Sequence, residues 1–425
     1  MNTKLIRNLS TLFLAVAGAS GLLAPAVTFA QEAPKTDEAK KDDGKKKDPD
    51  LAASVNPDDP SAAKLYFIPV TGQIGRDFAV QTIKNMVKDL KEVQPDYIVL
   101  YINTEWKNQQ GEEKNIYDPD DAGNAYGAVH RIQAIAEVIT DDIRDDKTWA
   151  KKPQVVAWVK RALGPAAFLP FVAPKIFYTP DAVHGGIGYL DHLYDGRGDE
   201  VVRQKQYSLR LAWAEGVAIK GGHDPRIMRA MSRMDYSLSY TMVGGKPVFY
   251  ENITEGENVL TDDGNPDAGR ADTLEEMMTN RGNDVLTLTP PVAKRIGFAE
   301  GIANSTEDLA FELGVNRAYR VYREKPAKIA AAWAKESAQR RAEFMRLRDE
   351  SRRIQVNGET AAERNSQRGR IKRNLLAMVE LLTKYRDSLF GIEAGDPDTI
   401  ADQIRQRIAQ IDQEIRLDKD QPRRR

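Results

Sequence analysis

The first 60 residues aside, apolar residues fall into short unbroken runs separated by stripes of helical spacing. Leu65 to Val70, within "KLYFIPVTGQIG", is an apolar, β-branched and aromatic run that ends in a glycine turn. It is followed by "FAVQTIKNMVKDLKEV", in which Phe78, Ile83, Met86, Val87 and Leu90 share one helical face. The same alternation recurs. "DYIVLYINT" (96–104) predicts a second strand, and the next helix puts Val129, Ile132, Ile135, Ala136 and Ile139 on one side. "QVVAWVK" (154–160) and "KIFYTP" (175–180) predict two more strands. Apolar strands alternating with helices imply a mostly parallel sheet covered on both faces. Ligands of such sheets bind beyond the carboxyl ends of the strands, which directs attention to the loops after Val70, Thr104 and Lys160.

Residues 200–240 read as helix, and Gly244-Gly245 in "SYTMVGGKPVFYEN" as a two-residue hairpin turn. A Gly/Asp/Asn-rich loop covers 255–270. Beyond it, "DVLTLTPPVAKRIGFAEGIANSTEDLAFELG" reads as a strand, a helix opened by Pro290-Pro291, a turn and another helix. From about residue 326 the strand pattern stops. Leu375, Met378, Val379, Leu382, Tyr385 and Leu389, then Ile400, Ile404, Ile408, Ile411 and Ile415, form narrow stripes on long helices. A helical hairpin or coiled coil serving assembly fits this spacing, and so does packing on the protein's own core.

The N-terminus has a different character. "MNTKLIRN" is basic, "LSTLFLAVAGASGLLAPAV" is apolar, and Thr28-Phe29-Ala30 offers a small-residue cleavage point, so residues 1–30 read as a secretory signal peptide. A retained membrane anchor is the alternative. Residues 31–60 are rich in Lys, Asp and Pro and nearly devoid of large apolar side chains, which predicts a disordered charged linker. The resulting division is 1–30, 31–60, a folded domain at 61–325 and a helical extension at 326–425. Export to the periplasm or cell envelope is expected, with possible association with the envelope membrane.

The chain has 425 residues and no cysteine, so neither disulfides nor thiol chemistry is open to it. Sixty-two basic against sixty-three acidic residues leave a net charge of −1, and no global field draws the chain to nucleic acid. His184, His192 and His223, with Asp181 or Asp191, lack the spacing of a metal-binding helix. The glycine turns "VTGQIG" and "GGIGYL" lack the Lys-Ser/Thr of a phosphate loop. No metal and no cofactor are expected.

Five segments, "FIPVTGQIG", "DYIVLYINT", "PQVVAWVKRALGPAA", "IFYTPDAVHGGIGYL" and "VLTLTPPVAKRIGFAEGIANSTEDLAFELG", stand in an order that resembles the Clp-protease/crotonase superfamily. Within it they are most similar to the NfeD-type and signal-peptide-peptidase-A-type serine proteases, over roughly residues 64–314. The resemblance implies an α/β fold with a ClpP/crotonase-like ββα-repeat spiral core, a homo-oligomer, and a polypeptide or membrane-protein partner. It also implies a serine nucleophile after the third strand, a lysine general base, and an oxyanion site of backbone amides in a Gly-Gly turn.

Here the matching positions have changed. The nucleophile position falls on Gly164 or Pro165, and Pro165 also lacks an amide donor. Glu105 and Trp106 follow Thr104 where the two glycines would stand. Lys205, opening "KQYSLRLAWAEGVAIKGG", resembles the helix of the general base and reads as its remnant; Ser208, three residues on, reads as a hydroxyl bonded within the helix. Gly72, Thr104, Glu105, Trp106, Ala166 and Gly186 are the expected lining of the cleft. Trp106, Trp158 and Phe168 are expected either to refill it or to be ordinary core. The reading that follows is an exported protein with the protease fold and no catalytic serine, which binds peptides or serves in assembly. The alternatives are an active Ser-Lys peptidase of the same superfamily, and an acyl-coenzyme A enzyme, which export disfavours.

Overall fold

The computed structural model describes residues 59–104, 122–187, 199–262, 282–389 and 396–420, with Asp272, Glu276 and Ile392. The expected signal peptide, nearly all of the expected linker, and Glu105, Trp106, Asp191 and His192 lie outside the described residues.

Four parallel neighbours form the centre of the sheet: β1 (Ala63–Thr71), β2 (Tyr97–Asn103), β3 (Gln154–Leu163) and β4 (Lys175–Gly185). Between them run α1 (Val80–Val93) and α2 (Ala122–Val138), the latter continued by a π-helical turn, Ile139–Arg144. Two helices follow the sheet, α3 (Glu200–Gly221) and α4 (Pro225–Ser232). A separate three-stranded sheet comprises β5 (Leu238–Val243), β6 (Lys246–Tyr250) and β7 (Asn258–Thr261), with β5 in the middle. The hairpin turn is Gly244-Gly245, at φ +60° and +79°, the positive pair that a two-residue turn demands.

The main sheet is completed by β8 (Thr287–Leu288), β9 (Gly301–Ile302) and β10 (Tyr319–Tyr322), with α5 (Pro290–Arg295) and α6 (Thr306–Glu312) among them. Its order is β10-β1-β2-β3-β4-β8, with β9 also on β4, and only the β4–β8 pair is antiparallel. The strict alternation of a pleated strand divides the apolar side chains between two faces. Tyr66, Ile68, Val70, Ile98, Leu100, Val155, Ala157 and Val159 join one core under α1, α2 and α3. Leu65, Phe67, Val99, Val156, Trp158 and Phe177 join a second beneath α6. Each such side chain contributes about 1.5–3 kcal/mol on burial.

The C-terminal part consists of α7 (Glu324–Arg353), α8 (Ala361–Lys384), α9 (Arg386–Leu389) and α10 (Pro397–Asp420). The stripes read from the sequence pack on one another: Leu375, Met378, Leu382, Tyr385, Leu389, Ile400, Ile404 and Ile411 share a core with Trp333 and Phe344 of α7. The start of α7 is fixed to the sheet body, since Lys325 pairs with Asp89 at 2.5 Å and Asp89 also accepts from the Tyr66 hydroxyl at 2.8 Å.

Three boundaries differ from the pattern in the sequence. β4 runs past Pro180 to Gly185, because the ladder is irregular: Val159 pairs with Tyr178 but Arg161 with Val183, and Pro180 sits in the slack where no ladder amide is needed. The 200–240 helix is two, divided at Gly222 (φ +88°) and Pro225. A short strand, β7, lies inside the 255–270 loop.

Candidate functional site

Parallel pairing places the carboxyl ends of β1 to β4 side by side. Thr71 is opposite Asn103, Asn103 opposite Arg161, and Leu163 opposite Gly185. Gly72, Thr104, Gly164 and Gly186, each just past its strand, therefore line one edge of the sheet. Of the other expected cleft residues, Glu105 and Trp106 are not described, and Ala166 is buried in the core under the turn after β3.

After β3 the chain makes two successive 3-10 turns, Gly164–Phe168 and Pro170–Val172, all of whose residues are buried. Gly164 opens the first at φ +58°, a conformation that costs a residue with a β-carbon about 1–2 kcal/mol. The amide of Leu169 closes back on Ala166 O at 3.1 Å, that of Val172 on Leu169 O at 3.1 Å, and that of Ala173 on Pro170 O at 3.1 Å.

Three side chains then bind the carbonyls of this segment. His184 Nε2 donates to Ala167 O at 2.8 Å, Arg144 Nη1 to Val172 O at 2.9 Å, and His223 Nε2 to Ala173 O at 2.8 Å. A carbonyl can only accept, so Nε2 of His184 carries the proton, and its Nδ1 takes one from the Tyr178 hydroxyl at 2.6 Å. Burial holds the His184 imidazole down, to about 4, and lowers His223 as well; it pushes the Tyr178 phenol far up. Both histidines are neutral at ordinary pH. Both nitrogens of His184 are engaged in holding the turn, which leaves none to act as a base. Phe171 and Phe298 complete a box with the two imidazoles, ring centres 5.0–5.7 Å apart.

The expected oxyanion positions, Glu105 and Trp106, lie outside the described residues, while the backbone amides of two expected cleft residues are engaged. Thr104 N–H donates to Arg161 O at 2.9 Å, and Gly186 N–H donates to Leu286 O at 3.0 Å. Gly185 is where that carbonyl comes close: a β-carbon there would lie 2.3 Å from Leu286 O. Gly72, at φ +75°, belongs to a turn closed by Asp77, whose Oδ2 accepts from Gln73 N–H at 2.8 Å.

Lys205 is exposed on α3. Trp213 of the same helix meets Phe168 with ring centres 5.5 Å apart, and Lys205 lies eight residues earlier, about 12 Å along the axis. Ser208 is exposed too. Trp158 is not at the edge of the cleft. It points to the opposite face of the sheet, where its indole donates to Ala303 O at 3.0 Å and packs on Tyr101 and Phe67. Its place in the alternation of β3 explains this: Trp158 is one residue out of phase with Ala157 and Val159. Phe168 is wholly buried in the main core. The clamp of Arg144, His184 and His223 was not legible as such, because its partners are carbonyls, which carry no mark in the sequence. Among the described residues no group of three or more His, Asp or Glu is placed to hold a metal ion.

No family model matches the chain. It is 26% identical over 271 residues, 63% of its length, to "Membrane protein NfeD1b" of Bacillus subtilis (strain 168), and spans 46% of that protein, about half. Among solved structures it is similar to a lysine-to-alanine mutant of the 1510-N membrane-bound stomatin-specific protease in complex with a substrate peptide. There the identity is 12%, over 64% of this chain and 99% of that one, with a TM-score of 0.34. A serine-to-alanine mutant of the same protease gives 15% identity, 62% and 94% coverage and a TM-score of 0.30. The sequence match bears out the NfeD-type resemblance of the motifs, and the mostly parallel sheet with a helical C-terminal region is the fold class that resemblance implies. No helix among the described residues is long and apolar enough to cross a membrane.

Proposed function

We propose that this chain is a non-catalytic protein of the ClpP-like, NfeD-type serine-protease fold, exported to the cell envelope, that binds an extended polypeptide or acts in assembly. The observation that carries the reading is the turn after β3. From Gly164 to Val172 it offers Gly, Pro, Ala, Phe, Leu and Val, its residues from Gly164 to Val172 are buried, and three side-chain donors fasten its carbonyls. Removing the nucleophile of a triad enzyme costs about six orders of magnitude in rate. The exposed Lys205 adds to this reading. An extended peptide would lie across the carboxyl ends of β1 to β4, held by the backbone of the loops that follow them, a mode of recognition that needs no catalytic side chain. The N-terminal basic and apolar segment directs export in this reading, and the chain works as a homo-oligomer with a polypeptide or membrane-protein partner. Its near-neutral charge argues against nucleic acid.

The test is fluorophosphonate labelling of the purified protein beside a Lys205→Ala variant. We expect no labelling of either. Labelling that Lys205→Ala abolishes would establish an active Ser-Lys peptidase with its serine elsewhere in the chain, and the proposal would fall.

A further inference from the structure

The tip of the α7–α8 hairpin holds a cavity of about 650 Å³ that the reading above does not use. It is lined by Arg353, the last residue of α7, by Gln355 and Asn357 of the connector, and by Gln367, Arg370, Arg373 and Asn374 of α8, with Glu350 at one side. Its size falls within the roughly 300–1,000 Å³ of small-ligand sites. The pairing of its charges sets it apart. Elsewhere on these two helices Arg346 is bound to Glu350, Arg364 to Asp418, and Arg368 to Asp418 and Glu414. Arg353, Arg370 and Arg373 have no hydrogen-bond or ion-pair partner among the described residues. Glu350, the one carboxylate of the lining, is already held by Arg346 at 2.6 Å.

Three open guanidinium forks thus face one concavity whose remaining polar groups are carboxamides. Asn357 and Gln367 are locked to each other, with Asn357 N–H donating to Gln367 Oε1 at 2.8 Å and Gln367 Nε2 to Asn357 Oδ1 at 3.1 Å, which fixes the connector over α8. We propose that this cavity is a binding site for a phosphate-ester anion, either a free phosphorylated small molecule or the headgroup of an anionic phospholipid. Three arginines and one carboxylate leave a lining charge of +2, which suits a multiply charged anion better than a lone carboxylate. The arginine fork also matches two phosphate oxygens at once.

The test uses the full chain and two probes: inorganic pyrophosphate by titration calorimetry, and phosphatidylcholine vesicles with and without phosphatidylglycerol by co-sedimentation. The variants are Arg373→Gln, the triple Arg353→Gln/Arg370→Gln/Arg373→Gln, the double Arg370→Lys/Arg373→Lys, and Arg405→Gln on α10 as a control of charge. Saturable binding of one pyrophosphate per chain is expected, weakened about tenfold or more for each arginine removed, since a charge-assisted hydrogen bond contributes roughly 1.5–3 kcal/mol. The lysine variant is expected to lose affinity as well, because it keeps the charge and loses the fork. Phosphatidylglycerol-dependent sedimentation lost in the triple variant, without pyrophosphate binding, would make the ligand a lipid headgroup. Binding of neither probe, or equal binding by the triple variant and the Arg405→Gln control, would overturn the proposal. The three side chains are exposed and without partners, so melting temperatures should match; if the triple variant melts early, Arg373→Gln alone is read.

Discussion

The double turn after β3 and the layer of α8 on α10 are both built around buried contacts, yet they are fastened in opposite ways. In the turn, neutral imidazoles and one arginine donate to backbone carbonyls within a box of aromatic rings. Between α8 and α10, the side chains at 364, 368 and 372 meet acids at 418, 414 and 412 in a ladder of ion pairs around a leucine and isoleucine stripe. The first arrangement fixes backbone geometry where the strands end and leaves almost no titratable charge there. The second tolerates water and salt at its rim and fixes only the register of two helices. A protein that needed a proton carrier at the end of β3 could not be fastened in the first way.

The largest effect is expected from Phe171→Ala, which removes the ring that touches both histidines and Phe298. It should cost about 3–5 kcal/mol in denaturant unfolding, as emptying a packed aromatic site does. A loss below 1 kcal/mol would mean that the turn is not held by this box. Acid comes next. Below pH 6.5 the unfolded chain protonates His184 while the folded chain does not until about 4, so stability falls as pH drops through this window, by roughly 3 kcal/mol from this residue. Unfolding free energies measured between pH 7 and 4 should show the slope, and His184→Gln should flatten it.

Gly164→Ala tests the backbone directly and should cost about 1–2 kcal/mol at φ +58°, read as a shift in urea midpoint. The least effect belongs to the helical layer. Hydrogen bonds from the Arg364 and then the Arg368 guanidinium hold the Asp418 carboxyl far below the ordinary carboxylate range, against the opposing effect of burial. Its contribution is present above pH 4 and is lost as acid protonates it. Asp418→Asn should lower the melting temperature less than Phe171→Ala does, and by less again in molar salt, which reaches the partly open guanidinium side of these pairs although Asp418 itself is buried. Salt insensitivity would remove the contrast between the two regions.

The four central strands and the C-terminal helices were legible because each buries a run or stripe of apolar residues long enough to set its own period. What escaped were elements fixed by distant backbone. β4 passes Pro180 only because the ladder to β3 slips there, and β9 and β10 are two to four residues long and exist as partners of β4 and β1. Gly164 and Pro165 at the nucleophile position, and Lys205 as the remnant base, can be read from motif order, because spacing along the chain can be followed even where a side chain differs. The histidines could be found as residues but not as a clamp, because a histidine that holds a carbonyl and one that holds a metal look alike in sequence. Trp158 was ambiguous for a simpler reason: one step of strand phase decides which face it takes.

A single residue, Arg323, separates β10 from α7, and the Lys325–Asp89 pair lies just beyond it. In mechanical terms the helical layer therefore has no slack tether. A pull on α7 is delivered within three residues to an edge strand hydrogen-bonded along β1, and from β1 to the whole sheet, so the strand and the helix behave as one lever rather than as two bodies on a string.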